Sequence, residues 1–198
     1  MSRAADAHAA ILDTAERLFK EQGYHAVLLA DIATQAKVPL PALQTHFHDK
    51  SDILNALLER RAPRDALRTA LRQINKDSAE EMVRAAIREI LQIFSAHADF
   101  LDLAILDVQV NNSNYVTALF SELAGDAAGF ITRLANMPNM RPISTIMLAR
   151  ALASMLIGFA VTQYIAPRPA QYAMRIFPQR AWIEGMADIL LYGIVESE

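Results

Sequence analysis

Between Ile11 and Leu54 apolar residues recur at three- and four-residue intervals in short bursts, and only short helices sharing one core satisfy such a pattern. A first helix is expected from about Ala5 to Gln22, where Ile11, Leu12, Ala15, Leu18 and Phe19 form one stripe. Gly23 then offers a left-handed stop. A second helix is expected near Ala30 to Ala36, with Ile32, Ala33 and Ala36 inward. A third follows Pro39, whose fixed φ suits a first helical turn, with Leu43 and Phe47 inward. A fourth begins near Ser51, read as its N-cap, and carries Ile53, Leu54, Leu57 and Leu58.

The remainder of the chain keeps the same helical period. Pro63 removes a helical donor and clashes with the preceding turn, so it breaks or kinks the fourth helix. Further helices are expected over Arg64–Asn75, Ser78–His97, Asp99–Val110, Tyr115–Ala135, Ser144–Ile165 and Pro178–Val195, with loops at 111–114, 136–142 and 167–169. No useful run of alternating polar and apolar residues occurs, and no Pro/Gly/Ser-rich linker. The expected fold is all-α: an N-terminal three-helix head over residues 1–50, packed directly on a larger helical body over 51–198. At 198 residues, 53% hydrophobic, the chain has enough apolar material for both.

Charge and composition narrow the function. Nineteen Lys+Arg against 22 Asp+Glu leave a net −3, so no global positive field draws the chain to nucleic acid or anionic lipid. Without cysteine there are no disulfides, thiolate zinc sites or thiol nucleophiles. The opening MSRAADAHAA lacks the apolar core of a secretory signal, and the cytoplasm is the expected compartment. Ile143–Ala166 is long enough to span a bilayer, yet Arg150 and the polar Ser144, Thr145, Ser154, Thr162 and Gln163 argue against it. A helix buried on nearly all sides, in a core or at a subunit interface, is expected there.

Two short helices joined by a tight turn and flanked by longer ones make a helix-turn-helix, whose second helix is short enough to enter a major groove. Ile11-Leu12, Ala15, Leu18-Phe19, Gly23-Tyr24, Ile32-Ala33, Ala36, Val38, Leu43, His46-Phe47 and Lys50, at these spacings, resemble the N-terminal domain of the TetR family of bacterial transcriptional regulators. The resemblance implies a homodimer whose two heads read half-sites of a pseudo-palindromic operator. It also implies a C-terminal body that binds a small molecule and thereby releases DNA.

Several positions depart from the family pattern. Val27-Leu28 stands where a hydroxyl pair usually opens the second helix. Lys37 occupies the turn position where glycine is usual, and must adopt a left-handed conformation or change the turn. Pro39-Leu40-Pro41-Ala42 replaces small polar residues, and Gln44 replaces a tyrosine. Leu40, Pro41 and Ala42 can read only thymine methyls and shape; Gln44 suits adenine. Thr45 suits a phosphate or a thymine methyl, while Lys37, His46 and Lys50 suit phosphates. In residues 1–50 five Lys+Arg face six Asp+Glu, and His8, His25, His46 and His48 add charge only at lower pH.

Other candidates carry less. His46-Phe47-His48-Asp49 puts its imidazoles on different helix faces, so no metal is expected, and no cofactor either. Neither a nucleophile elbow nor a Gly-rich phosphate loop occurs, and no enzyme is expected. Arg61, Arg64, Arg68 and Arg72 recur at helical spacing, as a solvated face or as extra phosphate contacts. In the body Phe94, Phe100, Leu103, Leu106, Phe120, Phe130, Met147, Met155 and Phe159 are candidate walls for a small, largely apolar ligand, or ordinary core. Asp107 and Arg150 pair with each other, anchor a ligand or reach solvent. Ala151, Ser154, Gly158 and Thr162 form a small-residue stripe, and Ile183, Met186, Leu190 and Ile194 an apolar one, which fit a four-helix dimer interface.

The expected function is therefore a ligand-released repressor that binds operator DNA as a homodimer. The alternative is a dimer of the same fold that binds a ligand or protein and has weak or lost specific DNA binding.

Overall fold

A computed structural model describes residues 3–138, 140–165 and 178–194. The described residues form α1 (Arg3–Gln22), α2 (Leu29–Gln35), α3 (Leu40–His46), α4 (Lys50–Arg61), α5 (Arg64–Gln73), α6 (Ala79–Ala96), α7 (Ala98–Val110), α8 (Asn114–Ala135), α9 (Thr145–Ile165) and α10 (Gln179–Ile194). The all-α expectation holds, and most helix ends fall within two residues of where the periodicity puts them. The loop expected at 167–169 lies outside the described residues.

Start signals explain the ends. Asp49, not Ser51, caps α4: its carboxylate accepts from the Asp52 amide at 3.0 Å, because an aspartate just before the helix is already in extended geometry. Ser78 caps α6 through the Glu81 amide at 3.2 Å. Pro63 ends the fourth helix outright rather than kinking it, since α4 stops at Arg61 and α5 restarts at Arg64.

The chain packs as two compact units. The first comprises Met1–Ala62 with Asp102–Val116; the second comprises Pro63–Leu101 and Thr117–Glu198. The first thus runs beyond residue 50, because α4 buries Ile53, Leu54, Leu57 and Leu58 and packs on α1. Ile11, Leu18, Ile32 and Leu43 are fully buried in the same unit, each contributing about 1.5–3 kcal/mol of apolar transfer.

In the second unit α6 packs against α5, α9 and α10. Met82, Val83 and Ile87 of α6, Leu134 of α8, Leu148 of α9 and Ala187 of α10 are almost wholly buried in one core. Arg84 pins α6 to α10, bonding Glu184 and, at 2.6 Å, Asp188. The bond to Asp188 raises the arginine's already high pKa against the opposing effect of burial.

Helix α9 is not a fully buried core helix, which leaves the subunit-interface alternative. It is long and apolar enough to cross a membrane, yet only 22% of Thr145–Thr162 is buried within the chain. Leu148, Leu152, Leu156 and Ala160 form its one core-facing stripe, while Ile146, Met147 and Ile157 stand exposed. Among the described residues the core therefore covers one side of α9 only.

Candidate functional site

The joint between α2 and α3 determines what the head presents. Leucine at position 28 has no acceptor to cap α2, so only the return half of a capping box forms: the Asp31 carboxylate accepts from the Leu28 amide at 2.9 Å. At the other end Lys37 adopts φ 57°, the left-handed conformation. The Lys37 amide reaches the Thr34 carbonyl at 3.2 Å and the Val38 amide reaches Ala33 at 3.0 Å, the paired bonds of a Schellman turn. The turn is thus the usual one, built on a residue that costs roughly 1 kcal/mol more there than glycine.

Helix α3 hangs from this turn by Leu43 and, just beyond its end, Phe47, both buried. Pro41, Ala42, Gln44, Thr45 and His46 are exposed, and Leu40 is half-buried. The Thr45 hydroxyl donates to the Ala42 carbonyl at 2.7 Å, which leaves its oxygen only as an acceptor. Gln44 has no such internal partner among the described residues, so its amide can offer both a donor and an acceptor. His46 lies edge-on to His8 of α1, ring centroids 6.0 Å apart, and His8 in turn packs 5.1 Å from the Phe47 ring.

Lys50, expected near a phosphate, is engaged within the chain. Its ammonium donates to the Tyr24 carbonyl at 2.6 Å and stands 4.5 Å from the centroid of the Tyr24 ring. It braces the loop after α1 to the start of α4. Four other cations of the head are likewise engaged. Arg60 meets Asp13 at 2.7 Å and Glu16 at 2.8 Å, Arg61 meets Glu16 at 2.9 Å, Lys20 meets Glu16 at 3.4 Å, and Arg17 meets Glu21 at 2.8 Å. Burial opposes ionisation of Glu16, but the hydrogen bond and charge of Arg61 and the charge of Lys20 outweigh it. Its carboxyl is held below the usual range. Lys37 is exposed and meets no carboxylate among the described residues.

The remaining arginines of the sequence stripe form a ladder within the second unit. Arg64 and Arg68 meet Glu122 at 2.8 and 2.5 Å, and Arg72 meets Asp126 at 2.5 Å. The Arg72 hydrogen bond, against a smaller desolvation effect, lowers the Asp126 pKa. These side chains tie α5 to α8, with Arg64 and Arg68 largely covered and Arg72 still 63% exposed.

Asp107 and Arg150 do not pair. Asp107 is fully buried, with one carboxylate oxygen accepting from Asn111 at 2.8 Å and the other from the Val116 amide at 3.0 Å. It holds the turn between α7 and α8, where Asn112 and Ser113 have positive φ. Arg150 is exposed.

The second unit holds an apolar cavity of about 180 Å³ among α5, α6, α8 and α9, open to solvent on one side. Of the expected walls, Phe94 and Phe120 line it, as does Phe130. Met147 and Arg150 are exposed, Phe159 packs on Trp182 with centroids 5.8 Å apart, and none of them lines the cavity. Leu103 is buried in the first unit. The lining residues that sequence reasoning missed include Leu71, Leu123, Ala127, Leu152, Ala153 and Ile157.

Residues 11–57 match the family model described as bacterial regulatory proteins, tetR family. Over that stretch the head is similar to the TetR-family domain. Over 95 residues, 48% of this chain, the sequence is 30% identical to the HTH-type transcriptional repressor BepR of Brucella suis. The matched region spans about half of that relative, 46% of its length. The TetR-family regulator PfmR of Thermus thermophilus superposes with TM-score 0.65 at 20% identity, covering 92% of this chain and 97% of its own. A Saccharomonospora viridis protein solved with choline gives TM-score 0.68 at 20% identity, covering 98% and 100%. At that identity these two structures share the fold. The head's buried positions, Ile11, Leu18, Ile32 and Leu43, are those the spacing marked; the engagement of Lys50, Arg60 and Arg61 had no signal in the spacing, because their partners lie far away in sequence.

Proposed function

We propose that the chain is a TetR-type transcriptional repressor that binds operator DNA as a homodimer in the cytoplasm and is released by a small apolar molecule. Residues 1–50 take the DNA-binding role, and 51–198 the ligand-binding and dimerisation roles. The observation that carries the reading is the Schellman turn at Lys37, which leaves Pro41, Ala42 and Gln44 exposed together on α3. That face suits a major groove.

The exposed side of α9 supports the dimer. Ala151, Ser154, Gly158 and Thr162 are exposed along it, as are Ile189 and Tyr192 on α10. A second copy approaching across these small residues under two-fold symmetry buries apolar surface that the single chain leaves in water. Ligand in the body then favours a head spacing that no longer matches successive major-groove faces, about 34 Å apart.

The second reading, a TetR-fold dimer without specific DNA binding, is favoured by the engagement of Lys50, Arg60 and Arg61 inside the protein. A gel-shift titration on the DNA flanking its own gene, repeated at several salt concentrations, separates the two. Binding much tighter than to random DNA supports the repressor. Equal binding to both, with a steep salt slope, supports phosphate contact alone and the second reading. Light scattering of the free chain tests the dimer.

A further inference from the structure

We propose that the cavity of the second unit takes a neutral apolar molecule of one or two rings and refuses charged ones, carboxylate and quaternary ammonium alike. The inference deepens the ligand half of the repressor reading and rests on it. Every residue lining the cavity has an aliphatic or phenyl side chain, so no side chain there donates or accepts a hydrogen bond. The charged side chains on two of its walls are already spent. Arg64, Arg68 and Arg72 of α5 bond Glu122 and Asp126 of α8, and Arg133 donates to the Leu71 carbonyl at 2.6 Å.

A carboxylate entering the cavity loses its hydration and meets no cation among the lining residues. A quaternary ammonium meets phenylalanine faces, which attract a cation less well than tryptophan, and no carboxylate. A neutral hydrocarbon gives up nothing, because a wholly apolar cavity holds no well-bonded water to displace. The size agrees: an apolar cavity of about 150 Å³ stays dry and admits benzene, and this one measures about 180 Å³. Phe120, Ala153 and Ile157 are the exposed lining residues, and they put the way in between α8 and α9.

Fluorescence titration of the full chain with naphthalene, naphthalene-2-carboxylate and trimethyl(2-naphthyl)ammonium compares one ring system in three charge states. Naphthalene is expected to bind at least about a hundredfold more tightly than either ion. Ala127→Phe and Ala153→Phe are each expected to weaken naphthalene binding about tenfold or more by filling the space. Should Ala127→Phe unfold, Ala153→Phe, at an exposed position, carries the test. Either ion binding as tightly as naphthalene, or no saturable naphthalene binding, overturns the proposal. Operator binding is measured without ligand on the same preparation. A chain that shifts its operator but ignores naphthalene loses only the ligand class; one that binds naphthalene but never shifts DNA loses only the repressor reading.

Discussion

Lys50 donates a 2.6 Å hydrogen bond to the carbonyl of Tyr24, 26 positions earlier, and its ammonium lies 4.5 Å from the centroid of the same residue's ring. One cation thereby satisfies the loop after α1 and anchors the first turn of α4. Lys50→Met keeps the aliphatic stem and removes the charge, so it should destabilise the head by about 1–2 kcal/mol. Urea unfolding measures that loss. Because the ammonium is engaged internally, the salt dependence of DNA binding by the folded variant should stay unchanged, whereas a phosphate contact would reduce its slope by about one.

Lys37 should behave in the opposite way. Lys37→Gly relieves the left-handed strain at φ 57°, and unfolding should move toward greater stability by about 0.5–1 kcal/mol. The same substitution removes an exposed cation, and DNA binding should weaken evenly across sequences with a shallower salt slope.

Gln44 is the test of sequence reading. Gln44→Ala should cost about 1–3 kcal/mol of discrimination at one A·T position and leave the salt slope intact. Binding measured on operators with each base pair substituted in turn shows the position; a uniform loss across all of them argues against base contact.

Glu16 predicts an acid sensitivity of the head. Its carboxyl is held below the usual range by Arg61 and Lys20, so its folded pKa is depressed. The stabilisation is fully present above the ordinary glutamate value of about 4.3 and is lost as the pH falls through the lower folded value. Denaturant midpoints across the acid range should fall less steeply in Glu16→Gln than in the native chain. At neutral pH that variant should already be about 1–2 kcal/mol less stable.

Asp107 separates turn building from ligand binding. Asp107→Ala leaves the Val116 N–H without its acceptor and the Asn111 amide with Asn55 alone, and should cost about 1–3 kcal/mol. Naphthalene affinity of the folded fraction should not change, since Asp107 lies outside the cavity lining.

Much of the head is legible because its signals are local. The period that buries Ile11, Leu18, Ile32 and Leu43, the stop at Gly23 and the break at Pro63 depend on residues within a few positions of one another. At Lys37 the sequence allowed a left-handed residue or a different turn, and the structure takes the first. The cap of α4 is not legible, because Asp49 and Ser51 are both good caps and only the chain's extended geometry at Asp49 chooses between them.

Sequence by itself determined the helices and the helix-turn-helix. Tertiary structure alone decided which charges are free and which lining residues meet. Arg61 found Glu16 across 45 positions and Arg72 found Asp126 across 54. Leu71, Leu123 and Leu152 meet around one space from three different helices. Helical periodicity says which face a residue takes, but a Coulomb partner or a cavity wall depends on which helices pack together, and that is settled only when the whole core closes.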